Sequence, residues 1–149
     1  MKTRIISLAL AGLVSAELAQ AQTVNDCDWV SSARNLVAPW DENARDFANG
    51  AIRIALLDTY EPACCSYHLL VLSPDPEFGQ ACHVISDVPG QGWTGIRYKD
   101  LAAEYDPARG LRVNIDVDYY NPETGTADPA RTRRLGVRIN QATGQVTLE

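Results

Sequence analysis

The sequence predicts a mainly β fold: an antiparallel meander of about eight short strands forming a small barrel or a sandwich. Three observations predict it. Leu111, Val113, Ile115, Val117 and Tyr119 alternate with Arg112, Asn114, Asp116 and Asp118, the period of two that a strand with one buried face requires. Turn residues recur at short intervals, at Asn49-Gly50, Pro62, Ser73-Pro74-Asp75-Pro76, Asp106-Pro107 and Asn140–Gly144. No stretch between the strands is long enough for a crossover helix, which argues against a parallel α/β sheet.

In chain order, Met1–Ala21 reads as a cleavable signal peptide. Lys2 and Arg4 form its positive start, Ile5–Ser15 its apolar centre, and Ala19-Gln20-Ala21 its small-x-small cleavage site. The apolar run is well short of the ~20 residues that a membrane span needs. A single β-rich domain over 22–149 follows. Trp29, Ala33 and Leu36 admit a short helix within Asp28–Val37 that Pro39 would end. Asn49-Gly50 is the preferred centre of a two-residue hairpin; folding there pairs Ala48 with Ala51, Phe47 with Ile52 and Asp46 with Arg53. The second strand runs to about Leu57. Tyr67–Leu72 is apolar on both faces except at His68, which marks a strand covered on both sides. Pairing Ser73 with Ala81 sets Val71 opposite His83 and His68 opposite Ser86. Gly110 after Asp106-Pro107 is free to take positive φ, and Arg134–Ile139 alternates like its partner. Pairing Tyr119 with Arg133 places Val117 opposite Leu135 and Asp118 opposite Arg134.

Charge narrows the partners. The chain carries a net charge of −6, and removing a leader that holds Lys2, Arg4 and Glu17 takes it to −7. A nucleic-acid binder needs a clustered basic face, whereas here the arginines are interleaved with acids. That leaves a protein or small-molecule partner and a periplasmic or secreted location. No cofactor or nucleophile-elbow motif is present, and a Cys–His dyad is the sole candidate for nucleophilic catalysis.

Four constellations bear on function. Cys64, Cys65, His68, Cys82 and His83 gather the soft ligands that copper or zinc prefers, though at no finger or ribbon spacing. In an oxidising compartment the four cysteines read first as two disulfides, for which three connectivities exist. Asp116, Asp118, Asn121 and Glu123 are oxygen ligands of the kind calcium takes, yet the strand register gives both aspartates arginine partners in Arg134 and Arg138. Trp93, in the glycine-rich run Pro89–Gly95, is either a binding anchor at a mobile tip or a core residue opening a strand. Together these predict a non-catalytic binding or inhibitor-type module, with a metal-binding or redox-active protein built on the Cys/His cluster as the alternative.

Cys27-Asp28-Trp29, Phe47–Arg53, Leu57-Asp58-Thr59 with Glu61-Pro62-Ala63, His68–Pro74, Tyr105–Leu111 and Asn140–Gly144 together resemble a group of small, uncharacterised exported proteins of alphaproteobacteria. The resemblance covers most of the domain and implies a compartment but no catalytic residue. Its pattern has cysteines at Cys27 and Cys82 and small residues where Cys64 and Cys65 stand, and so implies a Cys27–Cys82 bridge. Cys64 and Cys65 are then left vicinal or free. Adjacent Cα atoms lie ~3.8 Å apart, inside the ~4.4 Å lower end of ordinary bridges, so a bond between them is expected to be readily reduced.

Overall fold

A computed structural model of the chain describes residues 22–149, so the signal-peptide reading of Met1–Ala21 lies outside the described residues. The domain is a two-layer β sandwich, not a closed barrel. Its strands are β1 (Thr23–Asp26), β2 (Ala44–Phe47), β3 (Ile52–Asp58), β4 (Tyr67–Asp75), β5 (Gly79–Ser86), β6 (Gly95–Ile96), β7 (Ala102–Asp106), β8 (Gly110–Asn121), β9 (Thr126–Ile139) and β10 (Val146–Leu148). The first sheet has the order β1-β5-β4-β3-β2 and the second β10-β9-β8-β6, with β7 sharing the β6 edge of β8; all pairs are antiparallel.

The alternation that predicts the strands also builds the core. Leu111, Val113, Ile115, Val117, Leu135, Val137 and Ile139 from one sheet pack against Ile52, Ile54, Leu56, Leu69, Val71 and Ile85 from the other. The opposite side chains of β3 and β4 are apolar too. Ala55, Leu57, Leu70 and Val84 form a second cluster with Val30, outside the first sheet. This is why Tyr67–Leu72 shows no polar face: the N-terminal segment lies across it.

That segment differs from the expected helix. Residues 28–37 form two 3-10 turns, Trp29–Ser31 and Ala33–Asn35, because Asp28 caps the first through its carboxylate on the Val30 N–H while Asn35 turns inward to the Trp29 and Val30 carbonyls. Asn and Asp compete in this way for backbone groups that a longer helix would use. Pro39 does not end a helix but precedes one, the single turn α1 (Trp40–Asn43).

Two hairpins are refined in the same way. Asp46 pairs with Arg53 and Phe47 with Ile52 as expected, but the connection is four residues long. The Ala51 N–H does bond the Ala48 carbonyl, yet left-handed backbone already begins at Ala48 (φ 52°) and continues through Asn49 (φ 55°) and Gly50 (φ 86°), so Ala48 and Ala51 belong to the turn rather than the ladder. Between β8 and β9 the faces are as expected but the register is two residues off: Asp116 meets Arg134 and Val117 meets Arg133, and Tyr119 pairs with Asp128 across an irregularity. Pro129 sits in the extra residues, where it has no ladder N–H to give, and the Asp128 carboxylate accepts the Ala130 N–H to close the bulge.

Candidate functional site

The sequence-predicted residues come to rest in separate places. Cys27 bonds Cys82, clamping the end of β1 to β5, and the Cys27 N–H continues that ladder to the Cys82 carbonyl. Cys64 bonds Cys65 in the loop between β3 and β4. His68 lies buried beneath the N-terminal segment, its Nδ1 2.8 Å from Ser86 Oγ, directly across the ladder as the register requires. Burial pushes its pKa down to about 4, with Asp28 and Asp58 pulling weakly the other way, so the ring is neutral. His83 instead faces Asp26 at 3.7 Å. Among the described residues no group of three or more His, Cys, Asp or Glu side chains converges as a metal centre. The expected Cys/His cluster is thus dispersed, with every one of its thiols bonded to another sulfur.

The acidic cluster is likewise spent on arginines. Asp116 takes a two-pronged bond from Arg134, and Asp118 takes one from Arg97 plus the Thr132 hydroxyl. The Arg134 guanidinium holds the Asp116 carboxyl below the ordinary range. Asn121 accepts the Glu123 N–H rather than facing the aspartates. Arg138, expected on an aspartate, binds Glu149 instead. Trp93 is 1 % exposed, locked by reciprocal backbone bonds to Tyr67 and packed in the main core, so it presents no anchor to a partner.

What the structure shows instead is a groove on the outer face of the first sheet. The N-terminal segment crosses that face but does not fill it. The cleft left open has a volume of about 520 Å³. Its floor is Ala44, Ala55, Leu70 and Leu72, which share the outer face of the sheet, and Leu36 and Val37 border it. Trp40, 64 % exposed, stands at the rim on α1. The polar rim holds Asp41, Asn43, Asp46 and Arg53. Arg53 is neutralised by Asp46 through Nε–Oδ1 at 2.6 Å and Nη2–Oδ2 at 3.1 Å, an embrace that lowers the Asp46 pKa. Glu42 on the same turn pairs with Lys99, whereas Asp41 has no ion-pair partner among the described residues. The rim therefore carries one uncompensated negative charge beside an exposed indole. Sequence reasoning passed over this site. Its signal was a strand apolar on both faces, followed back to Trp40 next to Pro39 in the segment that had to cover it.

No protein-family model matches the chain, and no curated protein or solved structure matches it.

Proposed function

We propose that the chain is an exported binding module, working in the periplasm or outside the cell, whose ligand is a small organic cation with an apolar body held in the Trp40 groove. The observation that carries this reading is the groove itself: an open apolar trough of about 520 Å³, within the ~300–1,000 Å³ of small-molecule sites, with few polar groups in its lining. Apolar walls supply non-directional affinity. At the rim an indole face and a free carboxylate are both complementary to positive charge; the indole alone contributes about 0.5–2 kcal/mol to a cation held over it. The net charge of −6 favours the same sign of ligand at longer range. Two disulfides fit an oxidising compartment.

The test uses benzyltrimethylammonium as the probe and benzoate as its control of opposite charge, followed by amide and indole NMR shifts. The expected result is saturable binding of the ammonium that perturbs Trp40, Leu70 and Leu72, with benzoate inert. Trp40→Ala and Asp41→Asn should each weaken binding about fivefold, the equivalent of about 1 kcal/mol. Equal binding of both probes would refute the charge assignment, and shifts confined to another face would refute the groove.

A further inference from the structure

The Cys64–Cys65 bridge ties no two elements together. Its Cα atoms are 3.7 Å apart, the spacing of neighbours along any chain. A cross-link stabilises chiefly by restricting long stretches of the unfolded polypeptide, and a ring of two residues restricts almost none. The strap of this sheet is the other bridge, between Cys27 and Cys82. Cys65 also holds φ at 68°, a left-handed backbone that a residue with a Cβ adopts only when its surroundings impose it. The imposing contact is visible: the Cys65 carbonyl accepts the Gly92 N–H at 2.8 Å, and Gly92 has no room even for a Cβ, which would fall 2.1 Å from the Tyr67 carbonyl oxygen.

The two sulfurs are not equivalent. Cys65 is buried, at 9 % exposure, and its Sγ lies 3.9 Å from Thr94 Oγ1. A bonded sulfur has no proton, so the hydroxyl is the donor. Cys64 is half-buried and is the more accessible residue of the pair. A bond of small structural worth, with one cysteine more accessible than the other and a proton donor at the buried one, has the layout of an exchange site.

We propose that Cys64–Cys65 is a thiol–disulfide exchange site that accepts two electrons from a dithiol. One thiolate of the dithiol attacks Cys64 Sγ, forming a mixed disulfide. The Cys64–Cys65 bond breaks, and its electron pair departs on Cys65 Sγ, where the Thr94 hydroxyl donates to the new thiolate. The second thiol of the dithiol then attacks its own partner sulfur in the mixed disulfide and releases Cys64. The dithiol leaves as its disulfide, and its two protons end on Cys64 and Cys65. Reduction removes the covalent tie next to the Cys65 carbonyl that accepts the Gly92 N–H, so the change is felt at Gly92 and Trp93, which are bonded to Cys65 and Tyr67.

The experiment treats the folded, full domain with graded dithiothreitol, alkylates the thiols released and maps them by mass spectrometry. Cys64 and Cys65 should be alkylated at a dithiothreitol concentration at least tenfold below that which opens Cys27–Cys82. With glutathione as reductant the mixed disulfide should be trapped on Cys64. Thr94→Val should slow the reduction several-fold without changing the melting temperature. The proposal is overturned if both bridges open together, if Cys27–Cys82 opens first, or if glutathione is captured on Cys65. An unaltered rate in Thr94→Val removes Thr94 as donor to the leaving sulfur. The reduction assay on the unmutated chain decides the main claim even where a variant fails to fold.

Discussion

His68 is a buried ring that makes the stability of the domain sensitive to acid. It is buried at Ser86 and held neutral by the cost of burying its charged form, with a folded pKa of about 4 against an ordinary 6.5. As pH falls below 6.5 the unfolded chain takes up a proton that the folded chain refuses. Stability that is complete above 6.5 is therefore lost progressively down to about 4, amounting to roughly 3 kcal/mol. Arginine-paired carboxylates such as Asp116 weaken over part of the same range, so the informative quantity is a difference between variants. Urea midpoints at pH 7 and pH 4.5 should separate widely for the parent chain and much less for His68→Gln, which keeps a polar group near Ser86 but has nothing to titrate. Equal losses in the two proteins would place the acid sensitivity elsewhere. His68 was legible in the sequence as far as its ladder position, because counting from Ser73 and Ala81 puts it opposite Ser86. Its burial was not legible, because that depends on a segment some thirty residues away folding over it.

At the scale of the element, two glycines of similar backbone sit in different surroundings. Gly50 (φ 86°) has open space where a Cβ would stand, so a side chain there meets only the torsional cost of the left-handed region, about 1 kcal/mol for Ala and more for a β-branched residue. Gly110 (φ 91°) begins β8 against the end of β9, and a Cβ would lie 2.2 Å from the Ile139 carbonyl oxygen. Gly110→Ala must therefore displace backbone as well as bear the torsion. Thermal melts should show a modest drop for Gly50→Ala, a larger one for Gly50→Val, and the largest for Gly110→Ala. A Gly110→Ala melt no lower than that of Gly50→Ala would mean that the β7–β8 corner is built differently. The positions of these turns were readable because their chemistry is local: Asp106, Pro107 and Gly110 determine one hairpin without reference to the rest of the chain, whereas Asn49-Gly50 marked the other turn but not its four-residue length. The β8–β9 register was not, since shifting the pair by two residues keeps every side chain on its own face and alternation cannot distinguish the choices. Pro129, lacking the N–H, is the one local sign of where the ladder breaks. The two 3-10 turns escaped for a related reason: Asp28 and Asn35 bind backbone groups that a three- or four-residue apolar spacing assumes are engaged in a helix.

The described domain is two layers and a partial third, and Cys27–Cys82 is what fastens the third. The bridge joins the end of β1 to β5 at the point where the chain leaves the first sheet to cross its outer face, and it is packed with Val30, Leu57 and Val84. Its sequence separation is 55, for which chain-entropy reasoning gives roughly 4 kcal/mol of stabilisation. The same reasoning gives Cys64–Cys65, with a separation of 1, only about 1 kcal/mol. Against a typical domain stability of about 5–15 kcal/mol the first is a large share and the second a small one. Melting the Cys27→Ser/Cys82→Ser and Cys64→Ser/Cys65→Ser proteins in non-reducing buffer should show a severe loss in the first and a slight one in the second. The groove adds a second readout, because Leu36, Val37 and Trp40 belong to the segment that begins at Cys27. Once that segment is unstrapped its walls are held only by apolar contact, so the Cys27→Ser/Cys82→Ser protein should bind benzyltrimethylammonium more weakly even at temperatures where its sheets remain folded. The Cys64→Ser/Cys65→Ser protein should bind as the parent does. If the two double variants melt together, the third layer is held by packing and the long bridge is redundant. If binding survives in both, the groove keeps its shape without the strap.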